Sequence, residues 1–278
     1  MRGKTIVITG ATSGIGEVAA VHLAEQGARI IFTARDEKRG QATRARLNRA
    51  NGMSDHVVHL ADLSLLSEQK RVAAAIAAEP KIDVLINNAG AMFNKRSETA
   101  DGLEKTFALN HMAYFTVTNL LLDRLRQTPG ARIVTVASRA HRGAVLDFGD
   151  LQSRHGYQGF GVYAKSKLCN ILFNRALAKR LAGTGLTANS LHPGFVATRF
   201  GDQSGGMVQR LVAIAKPVGA ISPEEGAKTI LYLATSSDVA SVSGEYFYKC
   251  QVTQPTKQAQ NDADAERLWQ ASAMIAGL

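Results

Sequence analysis

Short apolar runs alternate along this chain with longer stretches of helical periodicity. Apolar runs of about four to eight residues, bounded by turn signals, are typical of buried strands, whereas apolar residues at every third or fourth position are typical of amphipathic helices. Seven strands are predicted, at about 4–9, 28–34, 56–60, 82–87, 131–137, 186–191 and 244–249. This alternation predicts an α/β fold in which right-handed crossovers build a doubly wound parallel sheet with helices on both faces.

A glycine-rich turn follows the first predicted strand. The segment TGATSGIG begins at Thr9 and precedes a helix-like segment that ends at Gly27. Glycines let the backbone approach a pyrophosphate closely, and the free N–H groups at a helix start attract its negative charge. An isolated glycine cluster is more often only a turn, but the order of strand, glycine turn and helix predicts a dinucleotide site. Its members are Gly10, Thr12, Ser13, Gly14, Ile15 and Gly16.

Polar residues also follow two later strands. Asn87, Asn88 and Gly90 come at the end of the fourth predicted strand, and Ser138 follows the fifth. Because ligands bind at the carboxyl ends of the strands in an open parallel sheet, these residues are expected at the same edge as the glycine turn. Taken alone, each is more typical of a turn or a helix cap.

Tyr163 and Lys167 lie four residues apart at the start of a predicted helix. Their side chains therefore project from one helix face, about 6 Å apart along the axis. A cation near a phenol favours the phenolate and lowers the pKa of the tyrosine, so the pair is a candidate acid/base unit. On spacing alone, Tyr and Lys four residues apart on a helix more often form a solvated amphipathic edge.

Together these residues resemble the short-chain dehydrogenase/reductase superfamily, from Lys4 to about Cys250. The motifs TGATSGIG, NNAG and YAKSK, the serine at 138 and the Pro-Gly pair at 193–194 occur in the order and spacing of that superfamily. The resemblance implies a Rossmann fold and an enzyme that interconverts a carbonyl and an alcohol. It also implies the catalytic set, which is Asn110, Ser138, Tyr163 and Lys167.

The resemblance implies a role for each member of this set. Tyr163 is expected to donate its proton to a carbonyl oxygen as hydride arrives, or to accept one in the reverse direction. Ser138 is expected to hydrogen-bond the same oxygen. Lys167 is expected to hold the nicotinamide ribose and lower the pKa of Tyr163, while Asn110 supports a water chain from Lys167 to solvent.

Cofactor choice is predicted from the end of the second strand. Ala34 stands where NAD-preferring relatives carry Asp, and Arg35 stands where NADP-preferring relatives carry a basic residue. A guanidinium can bind a 2′-phosphate with parallel hydrogen bonds, and Lys38 and Arg39 lie within reach of that phosphate. NADP (NADPH) is therefore predicted, with NAD bound at lower affinity. The alternative is that Asp36 turns toward the ribose.

The same resemblance implies cofactor contacts beyond the glycine turn and Arg35. They come from the ends of the third and fourth strands, from the Tyr-Lys pair and from the segment after the sixth strand. These residues are Asp62, Leu63, Asn88, Ala89, Gly90, Tyr163, Lys167, Pro193, Gly194, Val196 and Thr198.

A chain of 278 residues, 45% apolar and 20% charged, suffices for one substantial core. A single domain is expected over 1–278, with a substrate lid at about 194–222 and a C-terminal tail at about 251–278. The lid is suggested by a glycine-rich stretch followed by an amphipathic one, for which the alternative is a surface loop and a core-packed helix. Its apolar residues favour a lipophilic or aromatic carbonyl or alcohol as substrate. They are Phe200, Met207, Leu211 and Ile214.

Three weaker motifs look like the retinol dehydrogenase and WW-domain oxidoreductase branch of the superfamily. They are SRAH from Ser138, HPGFVAT from His192 and LWQAS from Leu268. The sequence lacks the N-terminal membrane segment that many retinol dehydrogenases carry, so the substrate itself is left open.

The net charge of +10 raises a nucleic-acid-binding protein as an alternative class. The basic residues of the second helix point around several faces without interleaved aromatics, so no nucleic-acid partner is predicted. A second alternative is a cofactor-sensing regulator with the same fold, although such proteins typically lack the Tyr or Lys of the pair. NADPH oxidation with a carbonyl substrate separates these classes.

Two cysteines outside any CxxC pattern, and seven scattered histidines, predict no metal site and a reducing, cytoplasmic setting. Met1 runs almost directly into the first strand and no apolar stretch reaches bilayer length, so neither a signal peptide nor a membrane anchor is expected.

The helix that carries the Tyr-Lys pair has a wide apolar surface. Because a stripe wider than one core face suggests a second partner, a homodimer or homotetramer built on this helix is predicted. The alternative is that the whole helix is buried within one chain. The apolar positions are Leu168, Cys169, Ile171, Leu172, Phe173, Ala176, Leu177 and Leu181.

Overall fold

The computed structural model describes residues 1–196 and 221–278, and within them eight strands form one sheet. The strands run in the order β3-β2-β1-β4-β5-β6-β7-β8. Their bounds are β1 Thr5–Ile8, β2 Arg29–Ala34, β3 Val57–Leu60, β4 Val84–Asn87, β5 Arg132–Val136, β6 Thr187–Leu191, β7 Tyr246–Tyr248 and β8 Gln251–Val252. The seven predicted strands are confirmed, and the doubly wound order reverses between β1 and β4.

The last strand, β8, was not predicted. It pairs antiparallel with β7 through a two-residue turn at Lys249 and Cys250, whose φ angles are 49° and 61°. Such turns usually carry Asn or Gly at positions with positive φ, so the local sequence held no hairpin signal. The predicted C-terminal tail therefore begins as a sheet strand.

Helices cover both faces of the sheet. Their bounds are α1 Gly14–Glu25, α2 Glu37–Asn51, α3 Leu66–Ala77, α4 Lys105–Phe107, α5 Ala113–Arg126, α6 Gly159–Arg180, α7 Pro223–Thr235 and α8 Asp262–Ala276, with a π-helical turn at Ala108–Met112. Alternate residues of β1 show how the core divides, because Ile6 and Ile8 pack with α1, α2 and α7 while Val7 packs with α3, α5, α6 and α8.

The apolar surface of α6 is covered within the chain by α8. Phe173 is 1% exposed, and its ring stacks on that of Trp269 with 5.8 Å between the centroids. Asp262, at the start of α8, pairs with Arg175 and Lys179 of α6. The prediction that α6 offers an accessible interface is therefore wrong, because its apolar side chains are core residues. The homodimer or homotetramer itself stays a prediction, and it would have to use another surface.

The predicted lid falls almost entirely outside the described residues. Thr198, Phe200, Met207, Leu211 and Ile214 all belong to that part of the chain. In the residues that are described, none of the helices combines the length and apolar character needed to cross a membrane.

Candidate functional site

The glycine turn is packed so closely that larger residues would not fit. Gly10 has a φ of +70°, and a Cβ there would lie 2.7 Å from the Cα of Ala89. A Cβ on Gly16 would lie 2.3 Å from Nδ2 of Asn88 and 2.5 Å from the carbonyl oxygen of Gly10. Steric exclusion therefore explains both glycines, because only a residue without a Cβ lets the turn pack this closely on the end of β4.

The end of β4 holds this turn in place. Nδ2 of Asn88 donates to the carbonyl oxygens of Thr9 and Gly10, at 3.0 and 2.9 Å. The hydroxyl of Thr9 accepts from the N–H groups of Asn88 and Ala89, at 2.9 and 3.1 Å. Asn88 and Ala89 thus brace the glycine turn. Thr9 was the first letter of the motif, and only the folded geometry reveals its bracing role.

The N-terminus of α1 opens beside the turn. Ser13 is the N-cap residue, and its side chain makes no capping hydrogen bond, while Thr12, Gly14 and Ile15 flank it. Uncapped N–H groups and the positive end of the helix dipole suit a phosphate. The residues present therefore fit the pyrophosphate of a dinucleotide.

Basic side chains lie at the carboxyl end of β2. Arg35 is exposed directly after the strand. Asp36 caps α2, because its Oδ1 accepts from the N–H of Arg39 at 2.8 Å. Nη2 of Arg39 donates to the carbonyl oxygen of Thr12 at 3.0 Å, which brings this guanidinium across to the glycine turn. The carboxylate of Asp36 is therefore engaged in a cap.

The residues after β3 and β4 differ in where they lie. Oδ1 of Asp62 accepts from the N–H and the hydroxyl of Ser64, and Leu63 beside it is buried. Asn87 was expected at the cofactor edge, but it is fully buried in β4 and donates to the hydroxyl of Thr118 at 2.8 Å. That expectation is wrong, because the amide points into the core and bonds α5.

Ser138, Tyr163 and Lys167 meet at the carboxyl end of β5. Ser138 lies near enough to Tyr163 for its side chain to lower the pKa of the phenol. Nζ of Lys167 donates to the carbonyl oxygen of Val136 at 3.2 Å and lies 5.6 Å from the ring centroids of both Tyr163 and Tyr114. The helix face predicted from spacing is confirmed, and Tyr114 is an addition that the spacing did not suggest.

Asn110 lies in the π-helical turn behind this group. Its Nδ2 donates to the carbonyl oxygen of Ala91 at 2.9 Å and to Oγ of Ser166 at 3.0 Å, and its Oδ1 accepts from the N–H of Ala91. A Cβ on Gly90 would lie 3.2 Å from Oδ1 of Asn110 and 3.4 Å from Nζ of Lys167. Gly90 therefore leaves the space in which Asn110 and Lys167 approach each other.

Burial dominates the ionisation of the pair. It raises the pKa of Tyr163 to about 12, and the hydrogen bond with Ser138 opposes that rise. Burial lowers the pKa of Lys167 to about 7. The expected lowering of the Tyr163 pKa by Lys167 is therefore not found in the protein without cofactor, since desolvation outweighs the benefit of a cation that is itself poorly solvated.

The segment after β6 packs close to the start of α7. Gly194, which follows Pro193, has a φ of +93°, and a Cβ there would lie 2.6 Å from Cδ1 of Ile221. A Cβ on Gly226 of α7 would clash with both Val196 and Ile15. Val196 and Ile15, at the start of α1, therefore lie close together around Gly226, and the cofactor contact of Val196 stays a prediction.

Sequence reasoning missed a layer of buried rings beneath Ser138. His141 is 1% exposed and lies edge-on to Tyr246, with 5.3 Å between the ring centroids. His192 stacks on Tyr248 at 4.0 Å and on Tyr246 at 5.9 Å. Burial lowers the pKa of His192 to about 4. These rings come from three separate stretches of chain, so no local spacing could have grouped them.

The chain matches the family model described as short chain dehydrogenase over residues 4–207. It is 38% identical to retinol dehydrogenase 14 of Homo sapiens, over 100% of this chain and 88% of that protein, and 39% identical to human retinol dehydrogenase 12, over 99% and 87%.

Two solved structures are also similar. An uncharacterised protein from Mycobacterium paratuberculosis has a TM-score of 0.79 and 32% identity, covering 99% of this chain and 94% of its own. A short-chain dehydrogenase from Sphingobium yanoikuyae, in complex with NADPH, has a TM-score of 0.67 and 25% identity, covering 82% of each chain. These matches support an oxidoreductase that binds NAD(P) and acts on an alcohol or carbonyl group. The chain thus belongs to the short-chain dehydrogenase family, on a branch that resembles the retinol dehydrogenases.

Proposed function

We propose that this protein is an NADP(H)-dependent oxidoreductase that interconverts a carbonyl and an alcohol, with Tyr163 as the general acid/base. The proximity of Ser138 to Tyr163, next to the buried amine of Lys167, carries this proposal. Two neighbouring hydroxyl groups could both contact one oxygen of a substrate.

Tyr163 and Ser138 are proposed to act on the same oxygen of the substrate. With a pKa of about 12, Tyr163 keeps its proton at neutral pH and can donate it to a carbonyl oxygen. Ser138 donates a second hydrogen bond to the same oxygen, where negative charge develops. A bound nicotinamide cofactor supplies the hydride in reduction and receives it in oxidation.

Lys167 and Asn110 act behind the two hydroxyl groups. Lys167 is proposed to hold the ribose hydroxyls of the cofactor, which would give its amine hydrogen-bond acceptors besides the carbonyl oxygen of Val136. Asn110 fixes the backbone at Ala91 with two hydrogen bonds. It thereby keeps the end of β4 next to Lys167, and it is proposed to support a water chain from Lys167 to solvent.

NADP is the proposed cofactor, for which two observations speak. Arg35 is exposed after β2, and the guanidinium of Arg39 reaches the glycine turn, so both can contact a 2′-phosphate. Oδ1 of Asp36 accepts in its cap to α2, which favours Arg35 over Asp36 as the group that selects the cofactor. The NADPH complex of the Sphingobium protein is consistent with this choice.

A lipophilic alcohol or aldehyde is the proposed substrate, in line with the names of the retinol dehydrogenases that the chain resembles. We also propose that the chain forms a single domain and is located in the cytoplasm. The rival function, a cofactor sensor without chemistry, would bind NADPH but oxidise it with no carbonyl compound.

Tyr163→Phe tests the proposal. Turnover is expected to fall by at least about a hundredfold, because the general acid is lost, while NADPH affinity stays nearly intact. NADPH oxidation is followed with a panel of aldehydes and ketones, and cofactor binding by calorimetric titration. Tyr232→Phe, which removes a phenol hydroxyl on α7, is the matched control and should keep turnover within about twofold. Turnover of Tyr163→Phe within a few-fold of the parent would refute the assignment of Tyr163 as the general acid.

A further inference from the structure

Two buried histidines join the neighbourhood of the predicted catalytic residues to the C-terminal segment, which is defined here as residues 251–276. His141 lies three residues after Ser138, and His111 directly follows Asn110. Nε2 of His141 is 3.3 Å from the backbone nitrogen of Thr256, and Nε2 of His111 is 2.7 Å from Oγ of Ser272.

Hydrogen bonding fixes the state of the His141 ring. Its Nδ1 lies 2.7 Å from the carbonyl oxygen of Ser138, which can only accept, so Nδ1 carries a proton. Thr256 offers an N–H, so Nε2 must accept and carries none. Only the neutral Nδ1–H form satisfies both partners. The charged and titratable groups around it, Arg139, Arg142, His192 and Tyr246, add no anion that would favour the imidazolium.

The carbonyl oxygen that accepts from His141 belongs to Ser138, whose hydroxyl is proposed above to contact the reacting oxygen. The ring N–H and the backbone N–H of His141 both reach the Ser138 oxygen, at 2.7 and 3.2 Å. The N–H of Ala140 donates to Oγ of Ser138 at 3.1 Å. The backbone and the hydroxyl of Ser138 are therefore held within one short turn whose far end is the imidazole.

The C-terminal segment provides the second hydrogen-bond partner of the His141 ring. The two hydrogen bonds of this ring, with Ser138 and with Thr256, are called the clamp below. The N–H of Thr253 donates to the carbonyl oxygen of Tyr246 at 2.7 Å, which continues the pairing with β7 and leads the chain to Thr256. The segment is then held by α8, where Oγ of Ser272 donates to the carbonyl oxygen of Leu268 and so accepts from His111. The imidazole of His141 is therefore hydrogen-bonded on one side to Ser138, just after β5, and on the other side to Thr256, about a hundred residues further along the chain.

We propose that His141 is a positioning residue, which transmits the docking of the C-terminal segment to Ser138 and sets the direction of its hydroxyl. The inference rests on the proposed function, because the direction of this hydroxyl matters only if it contacts the reacting oxygen. His141 itself touches neither substrate nor cofactor in this role.

A double-mutant cycle measures the effect on chemistry, with benzaldehyde and NADPH as the first probe pair and other carbonyl compounds of the panel after it. His141→Phe should lower kcat by about tenfold with little change in KM or NADPH affinity. In a Ser138→Ala background, the same change should lower kcat by less than about twofold, because the lost hydroxyl can no longer be misdirected. A full tenfold loss in that background would overturn the proposal and make His141 a general packing residue.

His141→Asn is the conservative variant, since its amide can still donate to the Ser138 carbonyl although it cannot reach Thr256. It should recover part of the lost kcat. His155→Asn, on a side chain that is 92% exposed, is the control and should leave kcat unchanged. Failure of the conservative variant to exceed His141→Phe would count against the clamp.

Amide hydrogen exchange tests the clamp without any activity. The N–H groups of Ala140 and Thr256 should both exchange at least about tenfold faster in His141→Phe than in the parent. If the parent reduces no carbonyl compound while both amides respond, the proposed function fails and the clamp stands. Unchanged exchange at Ala140 would refute the positioning role, whatever the activity.

Discussion

Arg35 is the residue on which the proposed preference for NADP depends most. It is exposed beside a glycine turn that Arg39 already contacts, and the nearby Asp36 is occupied as a cap. We expect NADPH to bind more tightly than NADH by about 1.5–3 kcal/mol, the scale of a charge-assisted contact. Arg35→Ala should erase most of this gap and leave NADH affinity nearly unchanged, as measured by calorimetric titration. Equal affinities in the parent would make Asp36 the ribose partner.

Lys167 is held where its charge is poorly solvated. Burial lowers its pKa from 10.5 to about 7, so the unfolded chain binds this proton more tightly than the folded protein does. The contribution of Lys167 to the stability of the protein should therefore fall as the pH is lowered from about 10.5 to about 7.

Lys167→Met removes this ionisation. The variant should raise the free energy of unfolding at pH 7 by about 1–3 kcal/mol while turnover is lost, since a buried charge is replaced by an apolar side chain of similar length. Urea unfolding at several pH values provides the measurement. A variant as stable as the parent, with the same pH dependence, would mean that the amine is better solvated than its burial indicates.

Among the elements, α8 matters most to the architecture, because it covers the apolar surface of α6. Trp269 packs on Phe173 and Phe115, with 5.8 and 5.0 Å between ring centroids, and the guanidinium of Arg180 lies 4.1 Å from its ring. The ion pairs of Asp262 lower its pKa to about 2, the largest cause being the hydrogen bond from Arg175. Aromatic packing dominates this contact, since exposed ion pairs contribute little.

Phe173→Ala should destabilise the protein by about 3–5 kcal/mol, because it opens a cavity beneath Trp269. Denaturant unfolding measures the loss. Met274→Ala, on the same helix pair but 85% exposed, should stay within about 0.5 kcal/mol of the parent. Similar stability for both variants would show that α8 is not firmly docked in solution.

At the scale of the whole molecule, the burial of the α6 face bears on the oligomeric state. The helix face on which a homodimer or homotetramer was predicted is buried by α8 within one chain, so the predicted assembly would need another surface. Light scattering at micromolar concentration tests it, and the mass of a single chain, 29.7 kDa, would refute it. A dimer mass would retain the assembly prediction and place its interface elsewhere. Phe173→Glu would test the core and not a surface between chains, because Phe173 is buried against Trp269.

Local pattern in the sequence determined most of the fold and the candidate site. Strand and helix periods specify which faces are buried, and the parallel order brings every strand end to one edge. The glycine turn, Ser138 and the Tyr163–Lys167 spacing were therefore predictable, since each depends on neighbouring residues or on the end of a strand.

Only the tertiary structure decided what depends on residues far apart in the chain. The burial that reverses the expected pKa shift of Tyr163, the core position of Asn87, and the covering of α6 by α8 all arise from packing between distant segments. The bond from Thr256 to His141 spans most of the second half of the chain. Desolvation and long-range hydrogen bonds have no period along a sequence, which is why composition and spacing could not reveal them.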